Sequence, residues 1–151
     1  MNFTTSELNR FLLFKLPSAY FTGVRVRKIE DNQAMVSVKH RWISQNPFRS
    51  LYYGVQAMAA ELSTGVLVMK KIQESKKDIA MLVTGQSARF TKKARGVIQF
   101  TCKDGEKIDQ AIAATVKTGE GQTFVLHSQA LDAAGDPVSY FEFEWSIKLR
   151  K

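Results

Sequence analysis

The segment Ser50-LYYGVQAMAAELSTGVLV-Met69 contains one charged side chain, Glu61, and no other charge lies between Arg49 and Lys70. So long an apolar run exceeds the usual strand and reads as a helix. A helix this apolar is buried on most sides, so it requires a sheet wrapped around it. At helical spacing Gly54, Ala57, Met58, Thr64 and Gly65 share the face of Glu61. Small residues on both sides of one carboxylate leave room for a ligand or a close-packed partner. Burying an unpaired ionisable group is costly, so Glu61 is the first candidate for chemistry. The plainer reading is a Glu at a helix edge, solvated or paired with a Lys.

Outward from this helix, Ser44–Ser50 is expected to be a loop. Pro47 biases Asn46 away from helical geometry, and Ser50 is the expected N-cap. The helix is expected to end near Ile72, with Lys70 and Lys71 at the negative end of its dipole. Upstream, Ser6–Lys15 reads as a short amphipathic helix capped by Ser6 and stopped by Pro17. This places a helical extension over residues 1–19 of a single domain, 1–151. Val24 and Val26 open a strand, Asp31-Asn32 turns the chain, and Ala34, Val36, Val38, His40 and Trp42 mark a second strand of the same hairpin.

Downstream, Ile79–Phe90 and Gly96–Lys103 are expected to pair, and Asp104-Gly105 leads into a helix over Ile108–Val116. Gln122–Leu131 and Val138–Leu149 close the chain, with Phe141, Phe143, Trp145, Ile147 and Leu149 on one side of the last strand.

The chain has 151 residues, 44% of them apolar and 24% charged, which fits an ordinary globular core. The net charge of +8 invites a polyanion, an anionic surface or a small phosphorylated ligand such as coenzyme A. No stacking motif or basic helix supports nucleic-acid binding. His40 and His127 are isolated, so no metal site is expected. The lone Cys102 excludes an intrachain disulfide and alternates with Ile98 and Phe100, which points it into the core. Phe11–Phe14 is too short for a signal-peptide core, and Gln56 and Glu61 argue against a membrane span, so a cytoplasmic location is expected.

One long apolar helix among strands in this order resembles the hotdog fold: an α+β architecture with a curved antiparallel sheet around a long central helix. The residues from Asn46 to Gly65 (NPFRSLYYGVQAMAAELSTG) resemble the thioesterase branch that includes phenylacetyl-CoA thioesterases, and within it an uncharacterised bacterial group. The pattern there is Asn, six residues to His-Gly-Gly, then Asp or Glu seven residues after the last Gly. In this chain Asn46 precedes Tyr52 by six, Tyr52-Tyr53-Gly54 replaces His-Gly-Gly, and Glu61 follows Gly54 by seven.

The resemblance implies acyl-CoA thioester hydrolysis in a homodimer, with pairing into tetramers open and no cofactor beyond the coenzyme A thioester substrate. Catalytic roles fall to Glu61 as base or nucleophile, to the backbone N–H of Tyr53 as oxyanion donor, and to Asn46, which in the family faces the acid of the other subunit. Tyr52, Gly54 and Met58 border the substrate. Thr84 or Ser87 supplies a hydroxyl, and Lys92, Lys93 and Arg95 meet the coenzyme A phosphates. Met58, Leu62, Met69 and Met81 could border an acyl tunnel, though such residues are more often core. Tyr52 does not titrate near neutral pH as a His does. A non-catalytic acyl-ligand binder on the same fold is therefore the alternative function.

Overall fold

A computed structural model describes all residues, 1–151. Its elements are α1 (Thr5–Lys15), α2 (Pro17–Phe21), β1 (Arg25–Ile29), β2 (Ala34–Lys39), a 3-10 turn (Trp42–Ser44), α3 (Tyr53–Ser75), β3 (Ile79–Phe90), β4 (Val97–Cys102), α4 (Gly105–Thr118), β5 (Gln122–Leu131) and β6 (Pro137–Leu149). The strands form one antiparallel sheet in the order β1-β2-β4-β5-β6-β3. The sheet curves around α3, giving the expected hotdog architecture.

α3 is buried because nearly every face is apolar or small: Val55, Ala59, Ala60, Leu62, Val66, Leu67 and Val68 are all buried. Alternate residues of the sheet pack against it, including Val36, Val38, Ile98, Phe100, Leu126, Phe141, Phe143, Trp145 and Ile147. Two buried polar contacts fix the helix to the sheet. Ser63 and Ser128 share a hydroxyl hydrogen bond of 2.7 Å, and Trp145 Nε1 donates to Thr64 Oγ1 at 2.9 Å. Each would be costly to leave unmade in such a core.

Several local expectations are corrected. The cap of α1 is Thr4, whose hydroxyl accepts from the Glu7 amide, and not Ser6. Pro17 stops α1 and also starts α2, where its missing N–H is harmless. α3 begins at Tyr53 behind Tyr52, with no side-chain cap; Ser50 is occupied by Asn46 instead. The helix runs on to Ser75 and ends at Lys76 in a left-handed conformation (φ 57°). Lys70 and Lys71 thus lie inside the helix, where they pair with Glu74 and Asp31, and with Asp109.

β2 stops at Lys39, so Trp42 lies in the 3-10 turn and is 83% exposed. β3 does not pair with β4: it crosses to the far side of β6, while β4 lies between β2 and β5. α4 starts three residues early, at Gly105, where a Cβ would stand 2.5 Å from Asn32 Cα. Only Gly allows the helix start to press so closely on the β1–β2 turn. Cys102 is buried as expected.

Candidate active site

Glu61 sits midway along α3 and opens on a cavity of about 490 Å³. Gly54, Ala57, Met58 and Glu61 form its helical wall, and Val83, Thr84, Gly85, Gln86 and Phe143 form the opposite wall. The small residues on the helix leave this space, and the carboxylate stands within it. Glu61 Oε1 lies 3.5 Å from where a Gly65 side chain would begin, so it rests over Gly65. Thr64 Oγ1 donates to the Glu61 carbonyl at 2.8 Å and accepts from Trp145, which holds this turn of the helix in place. The carboxylate itself has no hydrogen bond or ion pair in the chain. Burial alone raises Glu61 above the ordinary carboxylate range.

The sheet side of the cavity is shaped by a bulge. Register between β3 and β6 shifts between Val83 and Gly85, leaving Thr84 as the extra residue. Bulges re-aim side chains and often stand beside sites. The Thr84 hydroxyl turns to Glu144, donating to its Oε1 at 2.7 Å. Ser87 lies opposite Glu142 in the ladder and does not border the cavity. Met81 and Met69 are partly buried, Leu62 is fully in the core, and only Met58 of the four borders the space.

At the N-terminus of α3 the amides of Val55 and Gln56 both donate to the Tyr52 carbonyl, at 3.0 and 3.1 Å. The amides of Tyr53 and Gly54 donate to nothing in the chain. Two free donors at the positive end of a long helix can hold developing negative charge on an oxygen. The Tyr52 ring folds over Gly54, where a Cβ would meet its Cε2 at 2.5 Å.

Tyr53 also borders a second cavity of about 390 Å³, together with Asn46, Phe48, Gln56, Phe90, Lys92 and Lys93. Asn46 is thus separated from Glu61 within one chain. Its side chain organises the loop before α3: Oδ1 accepts from the Phe48 and Ser50 amides, and Nδ2 donates to Ser50 Oγ at 3.0 Å. Lys92 is held by Asp132 and Asp136 at 2.7 and 2.8 Å. Lys93 reaches the Phe48 carbonyl, and Arg95 donates to the Arg49 carbonyl outside the cavity.

The structure therefore gathers Glu61, Gly54, Met58 and Thr84 at one cavity and Asn46, Tyr53, Lys92 and Lys93 at its neighbour. Ser87 and Arg95 border neither, and Tyr52 lies over the junction. Phe143 and the Val83–Gly85 bulge were not anticipated as lining. The signal for the bulge was present, because a lone Gly inside a strand pattern marks one.

The model of a domain of unknown function, DUF4442, matches residues 4–147. The chain belongs to the DUF4442 family. No match is found among curated proteins. Among solved structures, this DUF4442 domain superposes on a probable thioesterase of unknown function from Pseudomonas aeruginosa with a TM-score of 0.82, at 21% identity over 97% of each chain. A protein of unknown function from Chlorobaculum tepidum gives a TM-score of 0.84 at 17% identity, over 97% of this chain and 94% of the other. A thioesterase from Haemophilus influenzae gives 0.73 at 12% identity, over 99% and 93%. At these identities the likeness establishes the hotdog fold of the DUF4442 domain and leaves its chemistry to the site. No helix is long and apolar enough to cross a membrane.

Proposed function

We propose that the chain hydrolyses an acyl thioester of the acyl-CoA class, with Glu61 at the centre of the site. One observation carries this reading: an unpartnered carboxylate, raised by burial, faces a cavity of about 490 Å³ beside free amides at a helix N-terminus. The thioesterase descriptions of the Pseudomonas and Haemophilus proteins support the same class.

Glu61 takes a proton from water as the water oxygen attacks the thioester carbonyl carbon. The oxyanion that forms accepts from the Tyr53 N–H. The C–S bond then breaks, and the departing thiolate recovers the proton from Glu61. In the nucleophilic variant the Glu61 carboxylate attacks the carbonyl carbon, the C–S bond breaks and the thiolate leaves, taking a proton from solvent. Water then cleaves the anhydride, releasing the acid and restoring Glu61. Gly54, Met58 and Thr84 border the acyl group. Asn46 fixes the loop that delivers the helix start, and Lys93, joined by Lys92 on release from Asp132 and Asp136, meets the carrier phosphates. No metal or further cofactor is called for, and neither nucleic acid nor membrane is a partner. The protein acts in the cytoplasm as a homodimer.

The test is thiol release across short, medium, long and aromatic acyl-CoAs, with Glu61→Gln beside the wild type. The variant is expected to lose about 10²–10⁴-fold in kcat. Undiminished turnover in Glu61→Gln would remove the residue from the mechanism.

A second reading has its own observation. The Tyr52 ring over Gly54 and the exposed Tyr53 ring, 5.0 Å from it between centroids, crowd the helix start where the family pattern has smaller residues. A non-catalytic acyl-ligand binder would be stabilised against heat by acyl-CoA and release no thiol.

A further inference from the structure

The opposite end of the sheet carries a recess that the Glu61 site does not use. Arg25, Arg27, Lys39 and Arg41 line a cavity of about 270 Å³ with Ser37 and Gly23, on the outer side of the β1–β2 hairpin. No carboxylate lines it, and none of the four cations takes part in an ion pair. Four unpaired like charges around one recess repel each other, and an anion placed among them relieves that repulsion.

Two of the guanidinium groups are tied to the wall of the recess, and a third lies against its glycine. Arg25 Nη1 donates to the carbonyls of Tyr20 and Val24 at 2.7 and 2.8 Å, and its guanidinium lies 3.7 Å from the Tyr20 ring centroid. Arg27 Nε donates to Ser37 Oγ at 2.8 Å. Ser37 is only 4% exposed, and its hydroxyl accepts that bond while its own hydrogen has no acceptor in the chain. Arg41 lies across Gly23, where a Cβ would stand 2.4 Å from Nη2, and Gly23 also has φ 95°. A side chain there would displace the guanidinium, so the glycine makes room for it.

We propose that this recess binds the phosphoryl or diphosphoryl group of a small phosphorylated ligand. Guanidinium groups match phosphate oxygens with paired donors, and the buried Ser37 hydroxyl supplies a further one. The recess is compact and no aromatic side chain lines it, whereas a single strand of nucleic acid is held by a long groove with stacking rings. The recess takes its residues from β1, β2 and, through Val97, β4, three to five strand steps from β3, and shares no residue with the Glu61 cavity, so it is independent of the thioesterase reading.

Titration with sodium pyrophosphate at low salt, followed by calorimetry, tests this. Saturable binding is expected, competed by ADP and not by adenosine. If pyrophosphate binds and ADP does not compete, the ligand is a free phosphate rather than a nucleotide. Arg27→Gln and Arg41→Gln replace exposed side chains that the core does not need, and each should weaken binding about tenfold or more. Lys117→Gln, an exposed cation on α4, should leave affinity unchanged, as should Glu61→Gln. Three results would overturn the proposal: no saturable pyrophosphate binding, an equal loss in Lys117→Gln, or retention of single-stranded DNA without pyrophosphate affinity.

Discussion

Glu61 is held in a setting that favours its protonated form, and this has an effect on stability separate from catalysis. Its folded-state proton affinity is raised by burial, so the folded chain binds this proton more tightly than the unfolded one. The stabilising contribution is complete below the unfolded carboxylate range and is lost as pH rises through the raised folded value. Near neutral pH the ionised Glu61 therefore destabilises the fold, and Glu61→Gln should remove that penalty. The variant is expected to melt higher than the wild type at pH 7, each ~1 kcal/mol of relieved penalty raising the midpoint about 2–4 °C in a chain of this size. At pH 4 the gap should close. Calorimetric scans at the two pH values check this, and a variant that melts lower at pH 7 contradicts the unpartnered buried carboxylate. Turnover should likewise fall on the acid side at a pH above that of an ordinary carboxylate, because only the ionised form accepts the proton. Cys102 presents the opposite case of a buried group that takes no part. Burial pushes its thiol up to about 12. The native protein should leave a disulfide reagent unreacted at pH 8 and react once unfolded, so a thiol-release assay reads product alone.

At the level of elements, the start of α3 offers a test that leaves the side-chain chemistry aside. Tyr53 is the first helical residue, its N–H is free, and Tyr52 already has the extended geometry (φ −61°, ψ 137°) that a following proline demands. Tyr53→Pro therefore deletes the oxyanion donor at a position where helices accept proline. Turnover should drop about 10²–10³-fold with little change in melting temperature, while Tyr53→Ala, which keeps the N–H, should retain most activity. Equal activity in the two variants would dismiss the amide. The same helix marks how far the sequence could be read. Its apolar run and the small-residue face of Glu61 are local periodicities, visible without partners. The β5–β6 and β1–β2 hairpins were equally legible, because alternation and a nearby turn specify both halves. The β3–β4 pairing was misread because adjacency in sequence stood in for adjacency in space. Lys92-Lys93-Ala94-Arg95-Gly96 is no tight turn, and β3 finds its register with β6 some sixty residues on. α2 is five residues long, too short to show a period. Ser50 had the composition of a cap, but Asn46 claimed its hydroxyl first.

Over the whole molecule, the two edges of the sheet are treated differently. On β1 the side chain of Asn9 acts as a substitute strand, donating to the Val26 carbonyl at 3.0 Å and accepting from its amide at 2.8 Å. β3 pairs with β6 alone, leaving its other edge without a strand. Its twelve residues include no Pro and no Lys, and Leu82 is 65% exposed on it. The last strand, β6, lies inside the sheet and cannot supply the seam of the proposed dimer. The bulge at Thr84 and the charge of Arg89 are the guards this long edge does carry, and the rest of it is a template for pairing. This edge strand also forms one wall of the Glu61 cavity, so a second subunit paired there would close that cavity with its own residues. In the proposed dimer Asn46, which a single chain keeps apart from Glu61, would be supplied from across the seam. Complementation decides this. Glu61→Gln and Asn46→Ala should each be nearly inactive alone. Unfolded together and refolded as a mixture, they should recover about a quarter of wild-type turnover, since half the dimers are mixed and each mixed dimer holds one intact site in two. Recovery fails if both residues act within one chain, and full activity in Asn46→Ala alone confines Asn46 to its loop. Hydrogen exchange gives an independent reading of the seam. The β3 amides facing away from β6 should be protected at high protein concentration and lose that protection on dilution, in step with the fall in mass from dimer to monomer.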